Sequence, residues 1–301
     1  MKTTPAPRRP RLRVGMVNFI NTAPIYLPWK EMGEDPRFEV TEAPPTRLNR
    51  LLAEGRLDVG LVSAFAYAQL HARTAIFPDL GISATGPVGS VILYSRVPVE
   101  ELDGRTIRLT PHSATSVHLL RILLEDILGL RPRYVTGELP PPHLRDPSMG
   151  AYLAIGDEAL RLAADPDPWI RLDLADIWRR RTGLPFVFAV WAVRKEAWRR
   201  DPEAVRALYR RLRSCLRAGR AALGRISRAV APRIPMSPEA CLDYLRGIEL
   251  DLDAAKRRGL RHFFRRLHAL GALPEVPALE LLPLPGDDAA EAPPAVRSLA
   301  S

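Results

Sequence analysis

The chain has 301 residues but only two cysteines, four lysines and six histidines, and each scarcity excludes something. Cys215 and Cys241 cannot build a disulfide framework or a thiolate metal cluster. Cys215 falls in the apolar stripe Val205, Leu208, Leu212, Cys215 and Leu216, where it reads as a core residue. With lysine confined to positions 2, 30, 195 and 256, the net charge of +10 rests on arginine. No stretch approaches the roughly 20 apolar residues of a membrane span. Residues 1–13 carry charges with no apolar run behind them, so they do not read as a secretory signal. A cytoplasmic protein with no membrane partner is expected. Several motifs are also missing: the Gly-x-x-x-x-Gly-Lys-Ser/Thr phosphate loop, Gly-x-Gly-x-x-Gly after a strand, His-Glu-x-x-His and the Gly-x-Ser-x-Gly elbow. No metal or cofactor is called for.

Hydrophobic content of 47% and charged content of 26% describe a globular chain long enough for one large or two medium domains. The arginines are spread out. The pairs 199–200, 210–211, 257–258 and 265–266 form polar faces of helical patterns, and no nucleic-acid recognition motif accompanies them. Such a charge steers small anions rather than marking a nucleic-acid partner. Residues 1–10 (Pro/Arg) and 284–301 (Pro/Ala/acidic) read as disordered tails.

Between the tails, short apolar strands alternate with helical patterns. Strands are expected at 12–17, 37–42, 58–62, 90–94, 106–109, 132–135, 151–155 and 186–193, with helices at 23–31, 46–54, from 64, and at 114–128 and 157–163. After 196 the pattern is nearly all helix: 202–224, 237–246 and 252–270. Alternation of this kind argues for parallel-dominated sheets covered by helices. Two batches of it predict a two-lobed α/β protein. Lobe 1 comprises 11–95 plus 195–283, lobe 2 comprises 96–194, and the chain crosses near 95–100 and 192–196. A ligand then belongs in the cleft, at the carboxyl ends of the strands.

Polar residues collect at those strand ends. Asn21 and Thr22 follow the first strand, Ser63 ends the third, and Ser90 sits inside a β-prone run. In the second batch, Ser113, Thr115 and Ser116 stand between a strand and a helix start, Gly156 and Asp157 follow another strand, and Phe186 opens the returning one. Hydroxyls and free N–H groups at a helix start suit a carboxylate or phosphate, but the same residues are ordinary helix caps. Both readings stand for Asn21, Ser63 and Ser113. Asp157 equally fits turn chemistry or the helix dipole. Ser90 has no cap to make. Phe186 and Phe188 fall two apart, with one face of that strand in the core. His112 and His118 both fall within reach of the cleft, and His112, beside the hydroxyl cluster, is the histidine to test as an acid or base.

Several strings together resemble a family. They are Arg13-Val-Gly-Met-Val-Asn-Phe-Ile-Asn-Thr-Ala-Pro-Ile25, Leu48-Asn49, Gly55-Arg-Leu-Asp58-Val-Gly-Leu-Val-Ser63, Gly89-Ser90-Val-Ile-Leu93, Ser113-Ala-Thr-Ser-Val117, Ala154-Ile-Gly-Asp-Glu-Ala-Leu160 and Thr182-Gly-Leu-Pro-Phe-Val-Phe-Ala-Val-Trp191. Over roughly 12–270 the chain resembles the menaquinone-biosynthesis enzymes of the futalosine pathway, most nearly its chorismate dehydratases. It departs from that pattern at Ala64, where a second serine is common, and in the tails. The resemblance implies a periplasmic-binding-protein-like fold of the two-crossover type (type II) with the ligand between the lobes. It also implies loss of water from chorismate to give 3-[(1-carboxyvinyl)oxy]benzoate. On that reading Asn21 and Ser90 are catalytic, and Ser63, Ser113, Thr115, Ser116, Gly156, Asp157 and Phe186 bind substrate. Hydroxyls and amides are poor bases, so the substrate's own enolpyruvyl carboxylate is expected to remove the ring proton. A sister family makes 1,4-dihydroxy-6-naphthoate on the same fold with a histidine about where Gly156 stands, and its absence here favours the dehydratase. The third reading is a cytoplasmic small-anion binding or sensor protein, because fold alone does not fix function.

Overall fold

The computed structural model describes residues 11–141, 145–164 and 168–284. The two tail readings, Leu284 apart, lie outside these residues. The first lobe begins with β1 (Leu12–Met16), a 3-10 turn (Ile20–Thr22), α1 (Ala23–Glu31), β2 (Phe38–Glu42), α2 (Pro45–Ala53), β3 (Val59–Ser63), α3 (Ala64–Leu70) and β4 (Thr74–Ala84). The second contains β5 (Val91–Ser95), β6 (Thr106–Leu109), α4 (Ala114–Arg121), β7 (Arg133–Thr136), β8 (Met149–Ile155), α5 (Gly156–Leu162), β9 (Ile170–Asp173) and α6 (Leu174–Thr182). The chain returns through β10 (Phe186–Arg194), α7 (Lys195–Arg200), α8 (Pro202–Ala221), α9 (Leu223–Val230), α10 (Pro238–Gly247), β11 (Glu249–Asp251) and α11 (Ala254–Ala269).

The strands form two mixed sheets, ordered β11-β4-β10-β3-β1-β2 and β7-β6-β8-β5-β9. Parallel pairing is confined to β1–β2, β1–β3, β6–β7 and β6–β8, and the other strand pairs are antiparallel. The parallel share is therefore smaller than the alternation suggested. β3 is buried at every position because β1 and β10 flank it and helices cover it, so its sequence runs apolar without alternation. β2, at the edge, buries Phe38 and exposes Glu39, Val40 and Glu42.

Strand pairing moves the expected lobe boundaries. β5 pairs with β8 and β9 in the second sheet, and β10 pairs with β3 and β4 in the first. The crossings are therefore 85–90 and 183–185, not 95–100 and 192–196. The reason is physical: a short, wholly buried apolar strand such as β5 fits either sheet, and only its partners decide. β4, β9, β11, α6 and α7 are additions to the expected pattern. β4 contains Pro78, which ordinarily argues against a central strand. It is accommodated because residues 77–80 fall within a register shift and pair with no β10 residue, so no donor is missed there. The helix expected at 114–128 forms as α4 and continues over Ile122–Ile127 as a π-helix.

α8 packs on α1 through the stripe Val205, Leu208, Leu212, Cys215 and Leu216, all buried. Burying each leucine contributes roughly 1.5–3 kcal/mol. Asp201 starts α8 by accepting the Ala204 N–H at 3.0 Å, with Pro202 in the first turn. Gly219 brings the two helices together: a Cβ there would stand 1.7 Å from the Pro24 carbonyl oxygen.

Candidate functional site

A cavity opens between the two sheets, where β1, β3 and β8 end and the 85–90 crossing passes. Asn21, Ser63, Ser90, Ser113, Ser116, Gly156 and His112 supply its polar wall. Val17, Phe19, Leu61, Ile82, Val88 and Phe188 are among its apolar residues. Among the described residues this wall contains no lysine, arginine, aspartate or glutamate. A wider trough lined by Arg11, Trp29, Lys30, Asp35 and Glu39 runs along the β2 edge, but it is mixed in charge and reached by none of these strand-end residues. No group of three or more His, Cys, Asp or Glu is placed to hold a metal ion among the described residues.

Each polar residue is held by its local structure. The turn at Asn21 is set by Thr22, whose hydroxyl donates to Val17 O at 2.8 Å while accepting the Phe19 N–H at 3.2 Å. Asn21 caps nothing: α1 starts without a side-chain cap hydrogen bond. Its Oδ1 is buried with no partner among the described residues. An unpaired buried acceptor costs about 1–3 kcal/mol, which sets this oxygen apart on the cavity wall. Ser63 caps α3, accepting the Ala66 N–H at 3.3 Å, and also accepts Asn49 Nδ2 at 3.2 Å. With both lone pairs engaged, its own proton is free to donate.

On the second lobe, Ser113 caps α4 by accepting the Ser116 N–H at 3.1 Å and donates to Ser116 Oγ at 2.9 Å, which frees the Ser116 proton for the cavity. Ser90 is 2% exposed, its carbonyl accepts the Gly156 N–H at 2.7 Å, and its Oγ accepts the Tyr244 hydroxyl at 2.9 Å. The wall thus presents hydroxyl protons from Ser63, Ser90 and Ser116 and one orphaned amide oxygen. That set suits an anion which also carries a hydroxyl. His112 Nε2 lies 2.7 Å from Glu138 Oε1 at the mouth.

A family model described as menaquinone biosynthesis matches residues 12–269. The chain belongs to the menaquinone-biosynthesis family. A chorismate dehydratase of Thermus thermophilus is 33% identical over 84% of this chain and 94% of its own length. A second chorismate dehydratase, from Campylobacter jejuni, is 29% identical over 61% of this chain and 68% of its own. Among solved structures, the periplasmic aliphatic sulphonate binding protein of Escherichia coli superposes with a TM-score of 0.60 at 14% identity, over 89% of this chain and 95% of that one. The fold is therefore that of periplasmic binding proteins, two lobes joined by two crossings.

For a member of the menaquinone-biosynthesis family, three expected ligand residues lie elsewhere. Thr115 is turned into the lobe contact, where its Oγ1 accepts the Phe65 N–H at 2.9 Å. Asp157 also joins the lobes, accepting the Ile20 N–H at 3.0 Å and standing 3.2 Å from Arg233 Nη2. Phe186 is core, fully buried against Trp178, Phe188 and Phe263. Phe188 lines the cavity instead, because a register shift between Val187 and Ala189 breaks the regular alternation of β10. Asn49 sat in a resembling string without an assigned role, and Tyr244 in none. Gly156 lines the cavity with φ 55°, and a Cβ there would meet the Phe19 ring at 3.3 Å. A side chain at that position would be strained as well as crowded.

Proposed function

We propose that this member of the menaquinone-biosynthesis family is a cytoplasmic carbon–oxygen lyase that removes water from chorismate, giving 3-[(1-carboxyvinyl)oxy]benzoate. The activity named for the Thermus relative supplies the substrate. The observation that carries the reading is the neutral donor wall with the buried, unpartnered Asn21 Oδ1. Chorismate offers two carboxylates as acceptors and, at neutral pH, one hydrogen-bond donor, the ring hydroxyl. Asn21 Oδ1 accepts from that hydroxyl, Ser90 donates to its oxygen, Ser63 and Ser116 donate to carboxylate, and Ser113 sets the Ser116 hydroxyl. Gly156 contributes by leaving room and by fixing Ser90 through its N–H.

The reaction then needs orientation more than a protein base. The enolpyruvyl carboxylate takes the proton from the ring carbon that bears the ether. The C–H electron pair becomes the new ring double bond, the neighbouring C–O bond breaks, and the collected proton leaves with the hydroxyl as water. Aromatisation supplies the driving force. The absence of a histidine at Gly156 argues against the naphthoate-forming chemistry, and a Cβ there would crowd the Phe19 ring.

Purified protein incubated with chorismate, without added cofactor, is expected to develop a new aromatic absorbance and a product lighter by one water. Asn21→Ala and Ser90→Ala are expected to lower kcat about a hundredfold or more each. Near-normal rates in both would sink the assignment, and chorismate binding without product would favour a sensor. If His112→Ala abolished turnover while binding persisted, a protein base would replace the substrate carboxylate.

A further inference from the structure

Ser90 is a cavity serine that lies in no helix and caps none, and residues from three other elements converge on it and its neighbour. Gly89, with φ 72°, donates its N–H to Asp173 Oδ2 at 2.7 Å, and Ser90 O accepts the Gly156 N–H at 2.7 Å. The backbone is pinned on both sides. The side chain is met by Tyr244 of α10, which donates to Ser90 Oγ at 2.9 Å. The Tyr244 ring lies over Gly89, 3.5 Å from where a Cβ would stand. Burial pushes the Tyr244 phenol up, so it stays protonated across the neutral range. A hydroxyl has a single proton to give. Once Tyr244 occupies a lone pair of Ser90, the Ser90 proton is left to point into the cavity that Ser90 lines.

We propose that Tyr244 is a positioning residue, which by donating to Ser90 Oγ aims and strengthens the Ser90 hydroxyl as hydrogen-bond donor to the hydroxyl leaving the substrate ring. The proposal rests on the reading of Ser90 given above. Neither Tyr244 nor Ser90 gives up a proton. The two hydrogen bonds form a chain in which each donor polarises the next, and the departing oxygen takes its proton from the substrate carboxylate. α10 belongs to the helical end of the first lobe, while the Ser90 backbone is tied to α5 of the second, so Tyr244 also carries orientation from one lobe to the other.

Tyr244→Phe keeps the ring and removes only the donor. In chorismate turnover it is expected to lower kcat about tenfold, as loss of one hydrogen bond does, with KM changed less than about twofold. In a Ser90→Ala background the same substitution should add almost nothing, since the group it acts through is gone. Equal losses in both backgrounds, or a rise in KM alone, would overturn the proposal. Calorimetric binding of 3-hydroxybenzoate to the same four proteins gives an arm independent of turnover. If the wild type makes no product, the functional reading fails. Non-additive losses in this arm would still uphold the Tyr244–Ser90 chain, and additive losses would overturn it.

Discussion

Glu158, on α5, shows how its setting sets a carboxyl apart. Tyr152 donates to Oε1 at 2.7 Å, while Oε2 is buried with no partner among the described residues. Burial pushes this carboxyl above its ordinary value of 4.5, against the pull of Tyr152. The folded state thus binds this proton more tightly than the unfolded chain does. The resulting cost to stability is absent below 4.5 and fully present once pH exceeds the folded value. Glu158→Gln is expected to raise Tm at pH 7, with the gain shrinking to nothing as pH falls to about 4.5. A gain that stayed constant from neutral to acid pH would refute the burial argument. Other residues divide by how far their surroundings reach along the chain. Ser113 was readable as a cap or as an anion ligand, and it caps α4 on the cavity wall. Asp157 and Phe186 were not readable: the partners that claim them, Ile20, Arg233, Trp178 and Phe263, are mostly distant in sequence. Tyr244 sits 154 positions from Ser90, and no local pattern announces such a contact.

At the scale of elements, the tightest constraint is the α1–α8 contact at Gly219. A methyl group there would overlap the Pro24 carbonyl, and neither helix backbone can yield cheaply. Gly219→Ala is expected to destabilise by about 3 kcal/mol, lowering Tm by roughly 5–10 °C. Gly247→Ala, at the end of α10 where a Cβ meets nothing, serves as the control and should shift Tm little. Similar shifts for the two would mean that crowding is not what Gly219 relieves. Elements were legible where one local pattern sufficed, as in the apolar run of β3 or the stripe of α8. β4 was not, because Pro78 breaks its pattern and the bulge that excuses Pro78 exists only against β10. The crossings were misplaced for a related reason: the burial of β5 is intrinsic to its sequence, whereas the sheet it joins is settled by β8 and β9.

At the scale of the molecule, the cavity exists because its two walls are fastened together. Phe65 of the first lobe donates its N–H to Thr115 and stacks on His118, with ring centroids 3.9 Å apart. Burial in that stack pushes His118 down and keeps it neutral. Across the cavity, Asp157 holds the Ile20 N–H, while Arg233 donates to Asn18 O at 2.7 Å and Asn18 Oδ1 at 3.0 Å and reaches Asp157 as well. Because Arg233 is about a third exposed, its ion pair with Asp157 contributes little by itself. The carboxylate on the Ile20 N–H carries more, since a charged acceptor roughly doubles a hydrogen bond. This fastening lies one residue from Asn21 and holds the turn that presents it. Asp157→Ala is therefore expected to raise KM about tenfold, with a smaller effect on kcat. It should also increase the radius of gyration of the ligand-free protein by solution scattering, as the lobes part more often. An unchanged KM with unchanged compactness would show that packing between Phe65, His118 and the crossings suffices to hold the walls, and that the Asp157 contact is incidental to closure.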